Sequence, residues 1–187
     1  MWTLGLDPAL TGSAVLLSPR QQPLVGWTWR PRQEKKVRVW EVAVVQPPHA
    51  RTERVATLHQ LALLIAAGCR RVTGQALFCT AYETPHIGKN IQSGLSVALT
   101  TGRLLGPLDD QGSVIPVAPH EWRKGLFPVT LSREALKAAS LTELPRKLPR
   151  LQAILALTAE HLHLPLDQLD HVTDAAGIAL YAATQAP

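Results

Sequence analysis

The sequence contains few cysteines and no long hydrophobic run, and these absences exclude several classes of protein. The 187 residues include two cysteines, Cys69 and Cys79, neither with a cysteine or histidine at metal-ligand spacing. We therefore expect free, buried thiols and no disulfide framework. No apolar run approaches the roughly 20 residues that span a bilayer, and the N-terminus lacks a basic segment followed by an apolar one. We expect a soluble, cytoplasmic protein without a membrane partner.

Charged residues are also scarce, at 18% of the chain, whereas hydrophobic residues make up 46%. This balance is typical of a folded protein, and the length suits one domain, which we place at residues 1–187. The formal net charge is +5. A moderately basic protein is compatible with a polyanionic partner such as nucleic acid, but the charge alone does not establish one.

The order of predicted elements indicates a mixed α/β fold. Antiparallel strands come first and later strands are separated by helices, which is typical of a mixed sheet flanked by helices. Residues 3–7 and 13–17 are predicted as two strands, or as one strand bent at Thr11-Gly12. Further strands are predicted over residues 24–30, 37–45, 75–83 and 114–117.

Helices are predicted where apolar residues recur at helical spacing. The first runs over 52–67, with Thr52 as its N-cap and Gly68 after its last turn. The last has Asp170 as its cap and runs to about residue 184. The others are predicted over residues 91–105 (ended by Gly106-Pro107), 119–124 (a turn or short helix) and 148–163, with a further helix capped by Ser132 between the last two.

A basic turn, Arg-Pro-Arg-Gln-Glu-Lys-Lys, occupies positions 30–36 between two predicted strands. One interpretation is a solvated hairpin tip. The other is an edge that contacts phosphates, to which the nearby Trp27, Trp29 and Trp40 would contribute. The sequence leaves both interpretations open.

Three acids lie in apolar surroundings, which is expensive for a carboxylate without a cation, a hydrogen-bond network or a metal. Asp7 lies in the first apolar run, Glu83 ends a later strand, and Asp174 is in the last helix. His171 is three residues before Asp174 and shares a helix face with it, and Asp170, four residues before, could share one too. If the strands of Asp7 and Glu83 are neighbours, these side chains form an oxygen-rich site suited to Mg²⁺ or Mn²⁺. Two such ions can activate water against a phosphodiester.

Each of these residues also has a simpler interpretation. Asp7 could accept hydrogen bonds from the turn that follows it, and Glu83 could be a satisfied carboxylate at a strand end. Asp170 is a natural helix cap, and His171 could be a surface histidine. From the residues alone, these alternatives stay open.

Three motifs resemble those of the RuvC family of Holliday junction resolvases, within the RNase H-like superfamily. They occur in order and at family-like spacing over nearly the whole chain. Together they are fairly specific, although the first alone is weak. They are Leu-Gly-Leu-Asp-Pro-x-x-Thr-Gly ending at Gly12; Tyr82-Glu83 with Lys89-Asn90, Ser93, Leu95 and Gly102; and Asp170-His171-x-x-Asp174-Ala175-Ala176.

The resemblance implies an RNase H-like fold, α/β with a mixed five-stranded sheet flanked by helices, and two metal ions per site, Mg²⁺ or Mn²⁺. It assigns Asp7, Glu83 and Asp174 to the metal, with His171 at the fourth ligand position. The sequence does not decide between His171 and the neighbouring Asp170 as that ligand. The implied activity is symmetric nicking of a four-way DNA junction by a homodimer, leaving 5′-phosphates, and the candidate partner is a branch-migration helicase. The DNA-binding residues that it implies are His86, near the place of the family's stacking aromatic residue, Lys89, Asn90, Arg123, Lys124, Arg133 and Lys137.

Other functions compete with junction resolution. A related nuclease of the same fold could act on forks, flaps or RNA–DNA hybrids. An actin-like ATPase is disfavoured because we find no second Gly-rich phosphate turn and the chain is short for two lobes. A silent binding module is disfavoured because it leaves three acids in apolar segments without a role. We expect dimerisation through the helix after Glu83, where small residues allow close packing: Gly94, Ser96, Ala98 and Gly102.

Overall fold

The computed structural model describes residues 1–46, 49–85, 91–126 and 166–185. Its strands are β1 (Trp2–Asp7), β2 (Gly12–Leu17), β3 (Pro23–Glu34), β4 (Val37–Gln46), β5 (His49–Val55), β6 (Phe78–Glu83) and β7 (Val114–Val117). Its helices are α1 (Leu58–Thr73), α2 (Ile91–Asp109), α3 (Pro119–Leu126) and α4 (Leu166–Gln185). The helices predicted after Ser132 and over 148–163 lie outside the described residues.

The described strands form one sheet in the order β5-β4-β3-β2-β1-β6-β7. From β1 to β5, each strand pairs antiparallel with the next one along the chain, whereas β1, β6 and β7 run parallel to one another. The predicted mixed α/β sheet is therefore confirmed. The parallel part brings the carboxyl ends of three strands to one edge of the sheet, where open α/β sheets bind ligands.

The expected count of five strands is wrong, because the described sheet has seven. The first difference is at the N-terminus, where β1 and β2 are separate strands and Asp7 pairs with Ser13 across the turn. The second is β5, in which Thr52 pairs with Ala43 of β4 and so cannot cap a helix. This polar segment is mostly exposed and pairs with β4 alone, as the edge strand of the sheet.

Helix α1 begins and ends later than the sequence predicts. Thr57 is its N-cap, and its hydroxyl accepts a hydrogen bond from the backbone N–H of Gln60 at 3.1 Å. The helix continues through Gly68 and ends before Gly74, which has a left-handed φ of 63°. Gly68 serves packing instead of termination, because a Cβ there would lie 2.5 Å from the Trp27 ring.

Other boundaries also differ from the sequence prediction. Strand β3 continues to Glu34, so most of the basic turn predicted at 30–36 is strand. Strand β6 begins at Phe78, not at residue 75, and α2 continues past Pro107 to Asp109. A proline in the last turn removes one backbone hydrogen bond, which a long helix tolerates. Helix α4 begins at Leu166, so Asp170 is not its N-cap. An aspartate near the start of an apolar pattern locates a helix end only approximately.

The hydrophobic core lies on both faces of the sheet. On one face, Leu6, Trp27 and Ile65 belong to a cluster of fully buried side chains that joins the sheet to α1. On the other face α4 packs so closely on β1 that a Cβ on Gly5 would lie 1.9 Å from the Ala175 carbonyl oxygen. Both cysteines are free and buried, as expected. Among the described helices, none is long and apolar enough to cross a membrane.

Candidate active site

Asp7 and Glu83 end two neighbouring parallel strands. Strands β1 and β6 pair in register up to Leu6 and Tyr82, so the two acids follow at the same level. The expectation that their strands are neighbours is therefore confirmed. Strand β7 continues this edge, with Val117 paired to Glu83 and its carbonyl accepting from the Thr84 N–H at 2.9 Å.

The turn after Asp7 holds the backbone of this acid in place. The Asp7 carbonyl accepts a hydrogen bond from the Ala9 N–H at 3.1 Å. A Cβ on Gly12 would lie 2.3 Å from the same carbonyl oxygen, so only glycine allows the chain to return this closely into β2. The indole N–H of Trp29 donates to the Ala9 carbonyl at 3.0 Å and fixes the turn from the other side.

Helix α4 brings His171 and Asp174 to the same edge of the sheet. The Nδ1 atom of His171 lies 2.6 Å from Oδ2 of Asp7, within hydrogen-bond distance. Asp174 is buried, with 9% relative exposure, one helical turn further along. The contact at Gly5 permits this approach, because any larger residue would push α4 away from β1.

Helix α3 places an indole and a guanidinium beside Glu83. The Trp122 Nε1–H donates to Glu83 Oε2 at 3.2 Å, and the ring is fully buried against Val117 and Ile178. One nitrogen of Arg123, Nη2, lies 3.8 Å from Glu83 Oε1 and also 3.8 Å from Asp174 Oδ2. Arg123 therefore joins the strand acid to the helix acid electrostatically.

The donor chemistry at this edge fits a hard divalent cation. Carboxylate oxygens of Asp7, Glu83 and Asp174 and an imidazole nitrogen of His171 are ligands that Mg²⁺ and Mn²⁺ accept. Within the described part of the chain, no three acidic, histidine or cysteine side chains are grouped closely enough to hold one ion. In this structure, Arg123 compensates two of the acids and His171 contacts the third.

Of the other predicted site residues, two lie in described helices and five lie outside the described ranges. Lys124 is exposed in the last turn of α3, one residue after Arg123. Asp170 belongs to α4, and whether it or His171 supplies a fourth ligand stays a prediction. The remaining predicted DNA-binding residues lie outside the described ranges: His86, Lys89, Asn90, Arg133 and Lys137.

The three tryptophans proposed to help a phosphate-contacting edge do not reach the surface. Trp27, Trp29 and Trp40 have relative exposures of 1%, 0% and 8%. Their rings belong to the core because alternate residues of β3 and β4 face α1. That part of the interpretation is wrong.

Sequence reasoning missed the residues that support the acids. Trp122 contacts Glu83, Gly5 contacts α4, and Trp29 fixes the turn after Asp7. A glycine two residues before an acid in an apolar strand is a signal of close approach by another segment. No local pattern indicates that Trp122 meets Glu83, because 39 residues separate them.

Comparison with known proteins identifies the fold. The seven-stranded mixed sheet with flanking helices is of the RNase H-like class. More particularly, it is similar to a structure of Thermus thermophilus RuvC in complex with a Holliday junction substrate, with a TM-score of 0.58 and 15% identity over 99% of this chain and 94% of that one. A second Thermus thermophilus RuvC structure has a TM-score of 0.54 and 14% identity over 99% of this chain and 95% of that one.

No protein-family model matches the sequence, and no curated protein does. The resemblance to RuvC is therefore confirmed at the level of the fold, and function has to be argued from the site.

Proposed function

We propose that this protein is a metal-dependent, structure-selective endodeoxyribonuclease that resolves Holliday junctions by paired symmetric nicks, leaving 5′-phosphates. One observation carries the proposal. In a fold similar to RuvC, Asp7, Glu83, His171 and Asp174 are gathered at one edge of the sheet. His171 contacts Asp7 there, and Arg123 lies between Glu83 and Asp174. Structural ion pairs alone do not require so many acids in one partly buried place.

Asp7, Glu83 and Asp174 would hold the divalent ions, with His171 or Asp170 as the fourth ligand. When bound, Mg²⁺ or Mn²⁺, two ions per site, supplies an activated water and charge compensation at the scissile phosphate. His171 orients the Asp7 carboxylate through the contact at 2.6 Å. The Trp122 indole holds one oxygen of Glu83 and leaves the other directed at Arg123.

Arg123 has a second role in the proposal. Its guanidinium lies between Glu83 and Asp174 at 3.8 Å from each, where it compensates two negative charges. Once divalent cations take over that compensation, its N–H donors are available for a phosphate oxygen, for which a guanidinium is well suited. Lys124, exposed beside it, would add charge for the same DNA strand.

The proposal includes a homodimer, because two opposed strands must be cut. Helix α2 has exposed apolar side chains at four-residue intervals, Ile91, Leu95 and Leu99, at 64%, 51% and 64% exposure. This spacing puts them on one helix face. Of the small residues predicted to pack there, Gly102 is exposed and Gly94 is buried within the chain.

Sedimentation tests the dimer. We expect a dimer at micromolar concentration, and a monomer for Leu95→Glu. Leu63→Glu on α1, where the leucine is 45% exposed, is the matched control and is expected to stay dimeric. A monomeric parent protein contradicts the dimer.

Cleavage assays test the activity. A labelled synthetic four-way junction, a fork, an RNA–DNA hybrid and a plain duplex are incubated with Mg²⁺, Mn²⁺ or EDTA. We expect paired symmetric nicks in the junction alone, abolished by EDTA. Single nicks in forks or hybrids would instead indicate a related nuclease with another substrate, and binding without cleavage in either metal would contradict nuclease function.

A further inference from the structure

Strands β3 and β4 extend beyond the edge of the sheet at which Asp7 lies. Asp7 pairs with Ser13, and Ser13 pairs with Thr28 of β3, so Thr28 is level with the acid. Strand β3 continues from there to Glu34 and remains paired with β4 throughout. At about 3.3 Å per residue these six further residues reach roughly 20 Å past Asp7. We call residues 30–41 the basic arm.

The basic arm presents arginines on the same face of the sheet as Asp7. Ser13 and Thr28 share that face with Asp7, and their hydroxyls are 3.0 Å apart. Side chains alternate along a strand, so Arg30 and Arg32 follow Thr28 on this face. Trp29, which lies between Thr28 and Arg30 in sequence, faces the core instead.

The basic arm has a local excess of positive charge. It has five basic residues and two acidic ones, so it contributes three units of the chain's net +5. Arg32, Lys35, Lys36 and Arg38 are all exposed. Within the described residues, Lys35, Lys36 and Arg38 have no carboxylate partner in an ion pair.

Glu41 organises the two arginines without neutralising them. Its Oε1 atom accepts from Arg30 Nε at 3.0 Å and from Arg32 Nη2 at 3.2 Å. The hydrogen bond from Arg30 is the main cause that lowers the pKa of Glu41, with Arg32 adding to it, so the carboxylate stays ionised at neutral pH. One carboxylate between two guanidinium groups leaves a net positive charge and several N–H donors for another anion.

We propose that the basic arm binds the phosphate backbone of a duplex DNA arm as that duplex leaves the acid cluster, by which we mean Asp7, Glu83 and Asp174. Duplex DNA has one negative charge per about 1.7 Å of axis, so the roughly 20 Å of basic arm faces about a dozen phosphates. The identity of the polyanion rests on the proposed function, but the contact itself can be tested without cleavage.

Equilibrium binding of a labelled four-way junction in EDTA tests the contact. The arm variant is Arg32→Gln with Lys36→Gln. Its matched control is Arg20→Gln with Arg71→Gln, which removes two charges at the opposite edge, near Leu17 and Thr73. We expect the arm variant to bind about tenfold more weakly, with a salt slope shallower by about two, and the control to bind much like the parent. Equal affinities for the two variants would overturn the proposal.

Glu41→Gln separates DNA contact from a structural role. If the arm contacts phosphate, releasing Arg30 and Arg32 from their carboxylate adds one net positive charge and should tighten binding about twofold or more. If Glu41 only stabilises the hairpin, binding should weaken or stay the same, and that result contradicts the proposal. Thermal unfolding of each variant shows whether its fold is intact.

Junction duplexes of graded length sharpen the assignment. The difference in affinity between the parent and the arm variant should disappear when the duplexes are too short to reach the arm, and a difference that persists would contradict the proposal.

Cleavage assays separate this proposal from the nuclease proposal. If the arm variant weakens binding but the parent does not cut, the arm proposal is supported and the nuclease proposal is not. If the parent cuts but the arm variant binds equally well, the nuclease proposal is supported and the arm proposal is not.

Discussion

The acid cluster and the basic arm lie on the same face of the sheet and have opposite arrangements of charge. In the acid cluster one guanidinium, that of Arg123, lies between the carboxylates of Glu83 and Asp174. In the basic arm one carboxylate, that of Glu41, lies between the guanidinium groups of Arg30 and Arg32. The cluster keeps a surplus of negative charge that suits a metal ion, and the arm keeps a surplus of positive charge that suits phosphate.

The two regions also differ in exposure, and this difference separates their expected roles. Side chains of Glu83 and Asp174 are 19% and 12% exposed, whereas those of Arg30 and Arg32 are 39% and 51% exposed. Electrostatic interactions are stronger away from water and are screened by salt at the surface. Changes in the cluster should therefore alter the chemical step, and changes in the arm should alter affinity.

The largest effect is expected from Asp7→Asn. The variant loses a negative metal ligand at the edge of β1, and several kcal/mol of transition-state stabilisation correspond to about a thousandfold or greater loss of cleavage. Junction binding should change little, since the carboxylate contributes nothing to phosphate affinity. Single-turnover cleavage and equilibrium binding measure the two quantities.

Asp110→Asn is the control for this variant, because Asp110 is exposed in the turn after α2 at the opposite edge. It should cleave like the parent. Loss of binding together with cleavage in Asp7→Asn would show that the two regions are not separable.

The next effect is expected from Gly5→Ala, which tests how the cluster is assembled. A Cβ at Gly5 would meet the Ala175 carbonyl at 1.9 Å, so α4 must move away from β1 and carry His171 and Asp174 with it. We expect a loss of about 3 kcal/mol in the free energy of unfolding, measured by urea denaturation, and a large loss of cleavage. Gly106→Ala in α2, where nothing lies within 4 Å, should be neutral or slightly stabilising. Equal stabilities for the two variants would contradict the close packing.

A smaller effect is expected from Trp122→Phe. Phenylalanine keeps most of the buried ring but removes the N–H that donates to Glu83. Groups that orient metal ligands typically contribute 10- to 100-fold to metal affinity or activity, so we expect about tenfold weaker Mn²⁺ binding by calorimetry and a similar loss of cleavage. Phe78→Leu, also in the buried core but away from the acids, is the control for general loosening. Unchanged Mn²⁺ affinity in Trp122→Phe would exclude a role in positioning Glu83.

The fold class and the acids of the candidate site could be predicted from sequence, but their supporting contacts could not. Asp7 and Glu83 stand out because a carboxylate in an apolar strand is unusual, and that signal is local. Trp122, in contrast, meets Glu83 only after β7 and α3 fold back over β6, which depends on tertiary packing.

Strand β5 shows the same limit of prediction from local sequence. Residues 52–55 contain a good capping residue, Thr52, so local propensity predicts a helix start. Pairing with β4 overrides this preference and moves the cap to Thr57. The predicted surface role of the tryptophans is wrong for a related reason. Alternation along a strand does not reveal which face of the sheet the helices cover.

The smallest effect concerns Glu41 and pH, and it tests whether the arm is organised as described. The hydrogen bond from Arg30 lowers the pKa of Glu41 below its ordinary value of 4.5, so the pair stabilises the fold above about pH 4.5, and this contribution is lost as pH falls through the lowered pKa. Because the pair lies near the surface, we expect it to contribute about 0.2–1 kcal/mol. Urea denaturation of the parent and of Glu41→Gln should therefore differ by that amount at pH 7 and converge well below pH 4.5. A difference that stays constant over this range would show that Glu41 acts by packing and not by charge.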